Sequence, residues 1–202
     1  MSSIKTGLII LAAGTSSRMG TCKYLLPDRN GHPILESILK SASQFAFSTV
    51  AIVTSFENAD AVGEICRQFK QLNVVVVCNP KQELGRFYSV QLGLRSVSEA
   101  DYCFIHNADN PSLQTATLKL MYANRSNASV IIPVYGNKGG HPVLVNANVM
   151  VSLCSADSDS VLNVELKKAD NLRVETKDSG ILIDLDTSDA YREYITGEFS
   201  LI

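Results

Sequence analysis

Gly14, Arg18, Gly20 and Lys23 sit in one short stretch directly after the apolar run Leu8-Ile9-Ile10. Their types and spacing suit phosphate. Gly14 and Gly20 carry no Cβ, so backbone N–H groups can approach an anion closely. Arg18 can grip phosphate oxygens with a planar fork, and Lys23 supplies a mobile point charge. The stretch is neither a GxGxxG dinucleotide fingerprint nor a P-loop, because no Gly-Lys-Ser/Thr closes it. On spacing alone a plain strand-to-helix turn with solvated cations remains open. A second group of candidates is acidic. Asp109 lies in His106-Asn107-Ala108-Asp109-Asn110-Pro111, just past an apolar run. There it can serve as a hard oxygen ligand for Mg²⁺ or as the cap of an Asx turn. Asp184 and Asp186 alternate in Asp184-Leu185-Asp186-Thr187. On a strand they would share one face and repel unless a cation or hydrogen-bond donors lay between them. Either acid, Asp184 or Asp186, is a candidate ligand for such a cation. Whichever acid is spare, or Thr187, can cap the helix that follows.

These residues need a scaffold that brings distant loops together. The chain alternates short Val/Ile-rich runs with amphipathic stretches. Strands are expected over Thr6–Ala12, Thr49–Thr54, Asn73–Cys78, Tyr102–His106 and Ser129–Pro133, all nearly continuous in apolar character. That pattern fits parallel strands covered on both faces. Helical periodicity appears over Pro33–Ser43, Asn58–Phe69, Phe87–Val97 and Gln114–Asn124. Repeated strand–loop–helix units imply an α/β fold with a doubly wound, mostly parallel, Rossmann-like sheet. After Gly136 the pattern changes. Pro142–Val145 and Gly180–Ile183 read as strands of a small C-terminal addition, with a polar helix near Ser160–Lys168. No low-complexity linker or internal repeat interrupts the sequence, so residues 1–202 are expected to form a single domain. In such sheets ligands bind beyond the carboxyl ends of the strands, where Gly14 and Asp109 lie.

The bulk properties narrow the choice further. The 202 residues carry a formal net charge of -2, which offers no global field for nucleic acid or an acidic membrane. Five cysteines are scattered with no CxxC pair, as expected for reduced thiols in the cytoplasm. The apolar run Gly7–Ala13 follows a single Lys5 and is short for a signal peptide, and far short of the about 20 residues needed to span a bilayer.

Several stretches together resemble the molybdenum-cofactor nucleotidyltransferases, the MobA/MocA-like branch of the GT-A-like nucleotidyltransferases. The opening signature of that family, LAAG-x-S-x-RMG-x-x-K-x-LLP, is met by Leu11-Ala12-Ala13-Gly14, Ser16, Arg18-Met19-Gly20, Lys23 and Leu25-Leu26-Pro27. The resemblance implies that this loop holds a triphosphate and that Ala13, where relatives using GTP have Gly, favours CTP. Asp109 and Pro111 match Gly-Asp-x-Pro, with Ala108 in place of Gly, implying Asp109 as a magnesium ligand. Asp184, Asp186, Thr187 and Tyr191 match DxDTPEDY, which places the second ligand at Asp186. Gly85, Ser89 and Gly93 match GMxxSLxxG, a turn used near the nucleotide base. Here Arg86 replaces Met, and Phe87 and Tyr88 replace small residues, so bulky groups are expected to narrow the base pocket or stack on the base. Gly140-His141-Pro142 resembles a segment bordering the acceptor, where His141 is expected to orient or bind and not to act as a base. Ser158, Val161 and Asn163 depart from the family's glycine- and arginine-bearing GDxGxRxLL.

The resemblance implies transfer of a nucleoside monophosphate from an NTP to a small phosphorylated acceptor, with Mg²⁺ as cofactor and pyrophosphate as product. Arg18, Lys23 and Asp109 would be catalytic. Leu11, Ala12, Ala13, Gly14, Gly20, Gly85 and Ser89 would bind nucleotide. A molybdopterin-type acceptor, another phosphorylated metabolite, and a non-catalytic nucleotide-binding role are the three readings the sequence leaves.

Overall fold

The computed structural model describes residues 3–14 and 22–198. Its first half is the expected parallel sheet. Strands β1 (Thr6–Ala12), β2 (Thr49–Thr54), β3 (Val74–Cys78) and β4 (Tyr102–Asn107) pair in parallel in the order β3-β2-β1-β4. All seven residues of β1 are buried, which is why its sequence shows no polar alternation. Its side chains divide between two cores. Leu8 and Ile10 pack with Ile34, Ile38 and Leu39 of helix α1 (Ile34–Ala42) and Val62 of α2 (Ala59–Cys66). Ile9 and Leu11 pack with Phe87, Val90 and Leu94 of α3 (Gly85–Ser96). Helix α3 lies close against the sheet because Gly93 faces it: a Cβ there would stand 3.1 Å from Ile9 and Val53. Leu118 and Met121 of α4 (Thr115–Ala123) complete the first of these cores.

The second half adds β5 (Val130–Tyr135), β6 (Lys138–Gly139), β7 (Val143–Asn146) and β8 (Asn171–Glu175), with helices α5 (Ala147–Ser155), α6 (Leu162–Leu166) and α7 (Ser188–Thr196). β7 is antiparallel to both β4 and β5, whereas β8 is parallel to β5. Val130 pairs with both Val145 and Asn171, so β7 and β8 flank β5 on opposite sides. The β5–β6 turn needs Gly136 and Asn137, both at positive φ, a conformation those two residue types tolerate.

The C-terminal expectations need correction. Gly180–Ile183 is not a strand: Ser179–Leu182 forms a 3₁₀ turn whose start is capped by the Asp178 side chain on the Gly180 N–H at 2.9 Å. The eighth strand is instead Asn171–Glu175, whose alternately exposed and half-buried residues gave no apolar run to read. The polar helix near Ser160–Lys168 is shorter, spanning Leu162–Leu166. No helix is long and apolar enough to cross a membrane among the described residues.

Candidate active site

The site follows from the pairing of β1 with β4. Their registers put Leu11 beside Asn107, so the segments leaving both strands emerge next to each other. The Ala108 N–H donates to the Leu11 carbonyl at 3.0 Å. Ala108, where the resembling family has Gly, is 1% exposed and packs into the core, so its methyl group is accommodated. A cleft of about 300 Å³ opens at this point, and Leu11, Ala12, Ala13 and Gly14 form one wall of it. Arg18 and Gly20 lie outside the described residues. The chain is described again from Cys22, and Lys23 opens a 3₁₀ turn over Lys23–Leu25. Tyr24 anchors that turn: it is 4% exposed and its hydroxyl pairs with Thr54 Oγ1 at 3.1 Å, at the end of β2. Lys23 and Tyr24 both line the cleft.

The acids converge opposite. One carboxylate oxygen each from Asp109, Asp184 and Asp186 lies within 4.8 Å of the others, the one such group of metal-type ligands found among the described residues. Asp109 stands just beyond β4. Asp184 and Asp186 lie on an irregular segment, not on the expected strand, yet they still face the same way because Leu185 between them is fully buried. The Leu185 N–H donates to the Asp109 carbonyl at 3.1 Å, stitching the segment to the sheet. The cap of α7 is Thr187, whose hydroxyl accepts from the Ala190 N–H at 3.1 Å, so neither acid is used as the cap.

Two cations hold this acidic group. Lys23 Nζ meets Asp186 Oδ1 at 2.8 Å, and Arg86 Nη2 meets Asp109 Oδ2 at 3.0 Å. The Lys23 ammonium holds Asp186 below the usual carboxylate range. Asp184 is pushed up to about 6, first by desolvation and then by the charges of Asp109 and Asp186. Once protonated, Asp184 donates to Asp186. Three hard oxygen donors in one small space fit a divalent ion such as Mg²⁺ or Mn²⁺, which takes oxygen ligands and keeps several waters.

The turn before α3 supplies another wall. Gly85 has φ +80°, which explains a glycine there, and both Gly85 and Ser89 line the cleft. Ser89 Oγ accepts from Asn79 Nδ2 at 2.9 Å, so the buried pair fixes this end of α3. The expectation for the bulky neighbours is overturned. Phe87 is 3% exposed within the second core, and Tyr88 is half-buried outside the cleft wall. Helix periodicity explains this, since Phe87, Val90 and Leu94 share the sheet-facing stripe.

His141 stands behind the cleft and does not line it. Its backbone N–H donates to the Ile181 carbonyl at 3.0 Å, and its ring is kept neutral by burial and by the nearby Arg86 charge. His106 is fully buried, with Nε2 against the Asn110 carbonyl at 3.0 Å, and burial pushes it down to about 3. His106 lies wholly out of reach of the cleft, and His141 is not among its lining residues. Sequence reasoning passed over Tyr24, Gln82 and the ion-pairing of Arg86 in the cleft wall. Arg86 had one legible signal, its departure from the family's Met.

Residues 8–171 match the model of the MobA-like NTP transferase domain. The molybdenum cofactor cytidylyltransferase of Escherichia coli (strain K12) is 30% identical over 183 residues, covering 91% of this chain and 92% of that protein. The 2-C-methyl-D-erythritol 4-phosphate cytidylyltransferase of Dehalococcoides mccartyi is 27% identical over 115 residues, covering 56% of this chain and 50% of that protein. Among solved structures, Rv0371c from Mycobacterium tuberculosis H37Rv superposes with a TM-score of 0.78 at 26% identity, covering 97% of this chain and 100% of that one. A manganese complex of Rv0371c has also been solved, and it superposes with a TM-score of 0.74 over 96% of this chain and 100% of that one. The family match over most of the chain, together with the relative that is 30% identical over nearly its whole length, shows that the chain belongs to the MobA-like NTP transferase domain family, a family of nucleotidyltransferases.

Proposed function

We propose that this nucleotidyltransferase, acting as a single domain, moves a cytidine monophosphate unit from CTP to a small phosphorylated acceptor of the molybdopterin type, with Mg²⁺ as cofactor. The observation that carries the reading is the convergence of Asp109, Asp184 and Asp186 beside a cleft lined by Gly14, Lys23, Asp109 and Asp186. Asp109 and Asp186, with Asp184 as a third ligand, would hold the metal, which when bound supplies Lewis-acid stabilisation of charge on the phosphates. The acceptor's phosphate oxygen attacks the α-phosphorus. An O–P bond forms there as the bond to the β-phosphate oxygen breaks, and pyrophosphate leaves. The residues mainly align the reactants and offset charge. The Gly14 backbone cradles phosphate oxygens, and Lys23, with Arg18, receives the charge of the departing β- and γ-phosphates. Gly20 belongs to the same set of nucleotide-binding residues. A phosphate nucleophile is already ionised at neutral pH, so the reaction needs no general base, consistent with the absence of His106 and His141 from the cleft lining. His141 supports the acceptor side from behind.

The base lies against Leu11, Ala12 and Ala13 on one side and Gly85 and Ser89 on the other. Ala13 is 7% exposed, and its methyl group takes room a purine would need. The names of the two curated relatives, both cytidylyltransferases, support CTP in the same direction. The erythritol-phosphate relative favours a second reading of the acceptor, a phosphorylated polyol. All five cysteines are free thiols, which suits the cytoplasm. The test is pyrophosphate release with Mg²⁺ from CTP and GTP across a panel of molybdopterin, polyol phosphate and sugar phosphate acceptors. Turnover with CTP and molybdopterin is expected to exceed every other pair. Faster release from GTP overturns the base assignment. Release with no acceptor in the panel overturns the acceptor class.

A further inference from the structure

Arg86 has no role in the mechanism above, yet its position is unusual. It is the second residue of α3, at the end of a helix where the backbone dipole favours anions over cations. Its side chain is 56% exposed, so packing does not hold it there. What holds it is Asp109, at 3.0 Å. Lys23 is engaged in the same way with Asp186. Both cations in the described cleft wall therefore rest on acids that the metal would occupy.

We infer that Arg86 is a triphosphate-binding residue that makes metal and nucleotide binding mutually dependent, exchanging Asp109 for phosphate oxygens when the two enter together. The inference rests on the metal and nucleotide reading given above. A divalent ion held by the three acids would stand close to the guanidinium, and like charges at such distances repel appreciably in a partly desolvated cleft. The metal alone must therefore displace Arg86 into water with nothing to compensate. A triphosphate changes the balance. It brings several negative charges to the same cleft, and the planar fork of Arg86 can engage two oxygens at once. The positive end of α3 adds to that site, so an anion there is favoured by the helix as well as by the side chain. Each partner then raises the affinity of the other by the same factor. A Met at this position would leave Asp109 free for the metal and would offer nothing to the phosphates.

The experiment is Mn²⁺ titration of the whole protein, read by the electron paramagnetic resonance signal of free Mn²⁺, with and without a non-hydrolysable α,β-methylene CTP analogue. Wild type is expected to bind Mn²⁺ weakly alone and about tenfold or more tightly with the analogue, within the range typical of coupled sites. Arg86→Met is expected to bind Mn²⁺ alone several-fold more tightly, roughly as removal of one repelling charge predicts, and to lose most of the coupling factor. Arg86→Lys should keep part of that coupling. If wild type and Arg86→Met show the same Mn²⁺ affinity and the same coupling, the inference fails while the proposed function stands. If wild type binds no Mn²⁺ in either condition, both fail.

Discussion

Asp109 and the Asp184–Asp186 pair reach the same point by different structural means. Asp109 leaves the end of β4, and the residues just before it are almost fully enclosed: His106 is 0%, Asn107 6% and Ala108 1% exposed. Its backbone position is set by the parallel sheet. Asp184 and Asp186 lie on a segment with no strand partner, placed by one buried side chain, Leu185, and by its backbone bond to the Asp109 carbonyl. One acid is part of the rigid frame. The other two are docked onto it. The same contrast runs through the molecule, from the buried, unalternating strands beside Gly14 to the edge strand β8 and short α6 after Asn171 and Val161.

The strongest way to sharpen this contrast is to remove charge at the rigid side. Asp109→Asn keeps shape but not the charge a hard cation needs. Turnover is expected to fall roughly 10²–10³-fold, as for loss of a major electrostatic group. Thermal unfolding should move little, because the Asp109 side chain is held by one ion pair with the largely exposed Arg86 and is not part of the apolar core. Adding Asp186→Asn should cost scarcely more, since groups serving one ion act as a unit. Independent, multiplying losses in steady-state kinetics would show that the two acids do not share a metal.

The docked side should break differently. Leu185 is fully buried in the core shared with Leu8, Ile10 and Ala108. Leu185→Ala leaves a cavity and is expected to cost about 2–4 kcal/mol in urea unfolding. It should also weaken Mn²⁺ binding several-fold, because both acids beside it lose their common anchor. Asp109→Asn would then harm the metal site with the fold intact, whereas Leu185→Ala would harm both. Unchanged Mn²⁺ affinity in Leu185→Ala would mean that the segment is positioned by something other than its plug.

The contrast also explains what could be read from the sequence. Thr6–Ala12 and Thr49–Thr54 were legible to the residue, because strands covered on both faces must be apolar throughout. Asp109 was legible because it follows such a strand. The shared orientation of Asp184 and Asp186 was also legible, though for the wrong element: an i, i+2 spacing around a buried Leu gives one face whether or not the backbone pairs as a strand. The strand assigned to Gly180–Ile183 failed because local capping by Asp178 won over apolar content. Strand β8, with Arg173 and Glu175 on an edge, carries no such apolar run. The Arg86–Asp109 pair spans 23 residues and depends on how the turn at Gly85 aims α3, which no short-range pattern encodes. Thr187, not either acid, proved to be the helix cap, a choice the sequence left among three oxygen-bearing neighbours.

The smallest expected effect concerns Asp184, the acid with the least favourable surroundings. Its carboxyl is raised from 3.8 to about 6 by desolvation and by two neighbouring carboxylates. A raised acid keeps its proton longer in the folded chain than in the unfolded one. Below about pH 3.8 both states hold the proton and Asp184 carries no penalty. As pH rises from there through 6, the unfolded chain gives up its proton first, so folded stability falls; above 6 the penalty is complete. Asp184→Asn has no charge to lose, so metal-free protein should gain stability at pH 7.5 and progressively less as pH approaches 4.5. The residue is exposed to solvent, so screening limits the gain to less than about 1 kcal/mol, or roughly 2–4 °C in a chain of this size. Excess Mg²⁺ should reverse the order, since the wild-type triad gains from a bound cation and the variant loses one of its ligands. Differential scanning fluorimetry across this pH range, with and without Mg²⁺, measures both effects. Parallel curves for the two proteins in metal-free buffer would show that Asp184 is ionised as readily in the cleft as in the unfolded chain, and that Lys23 and Arg86 already balance all three acids.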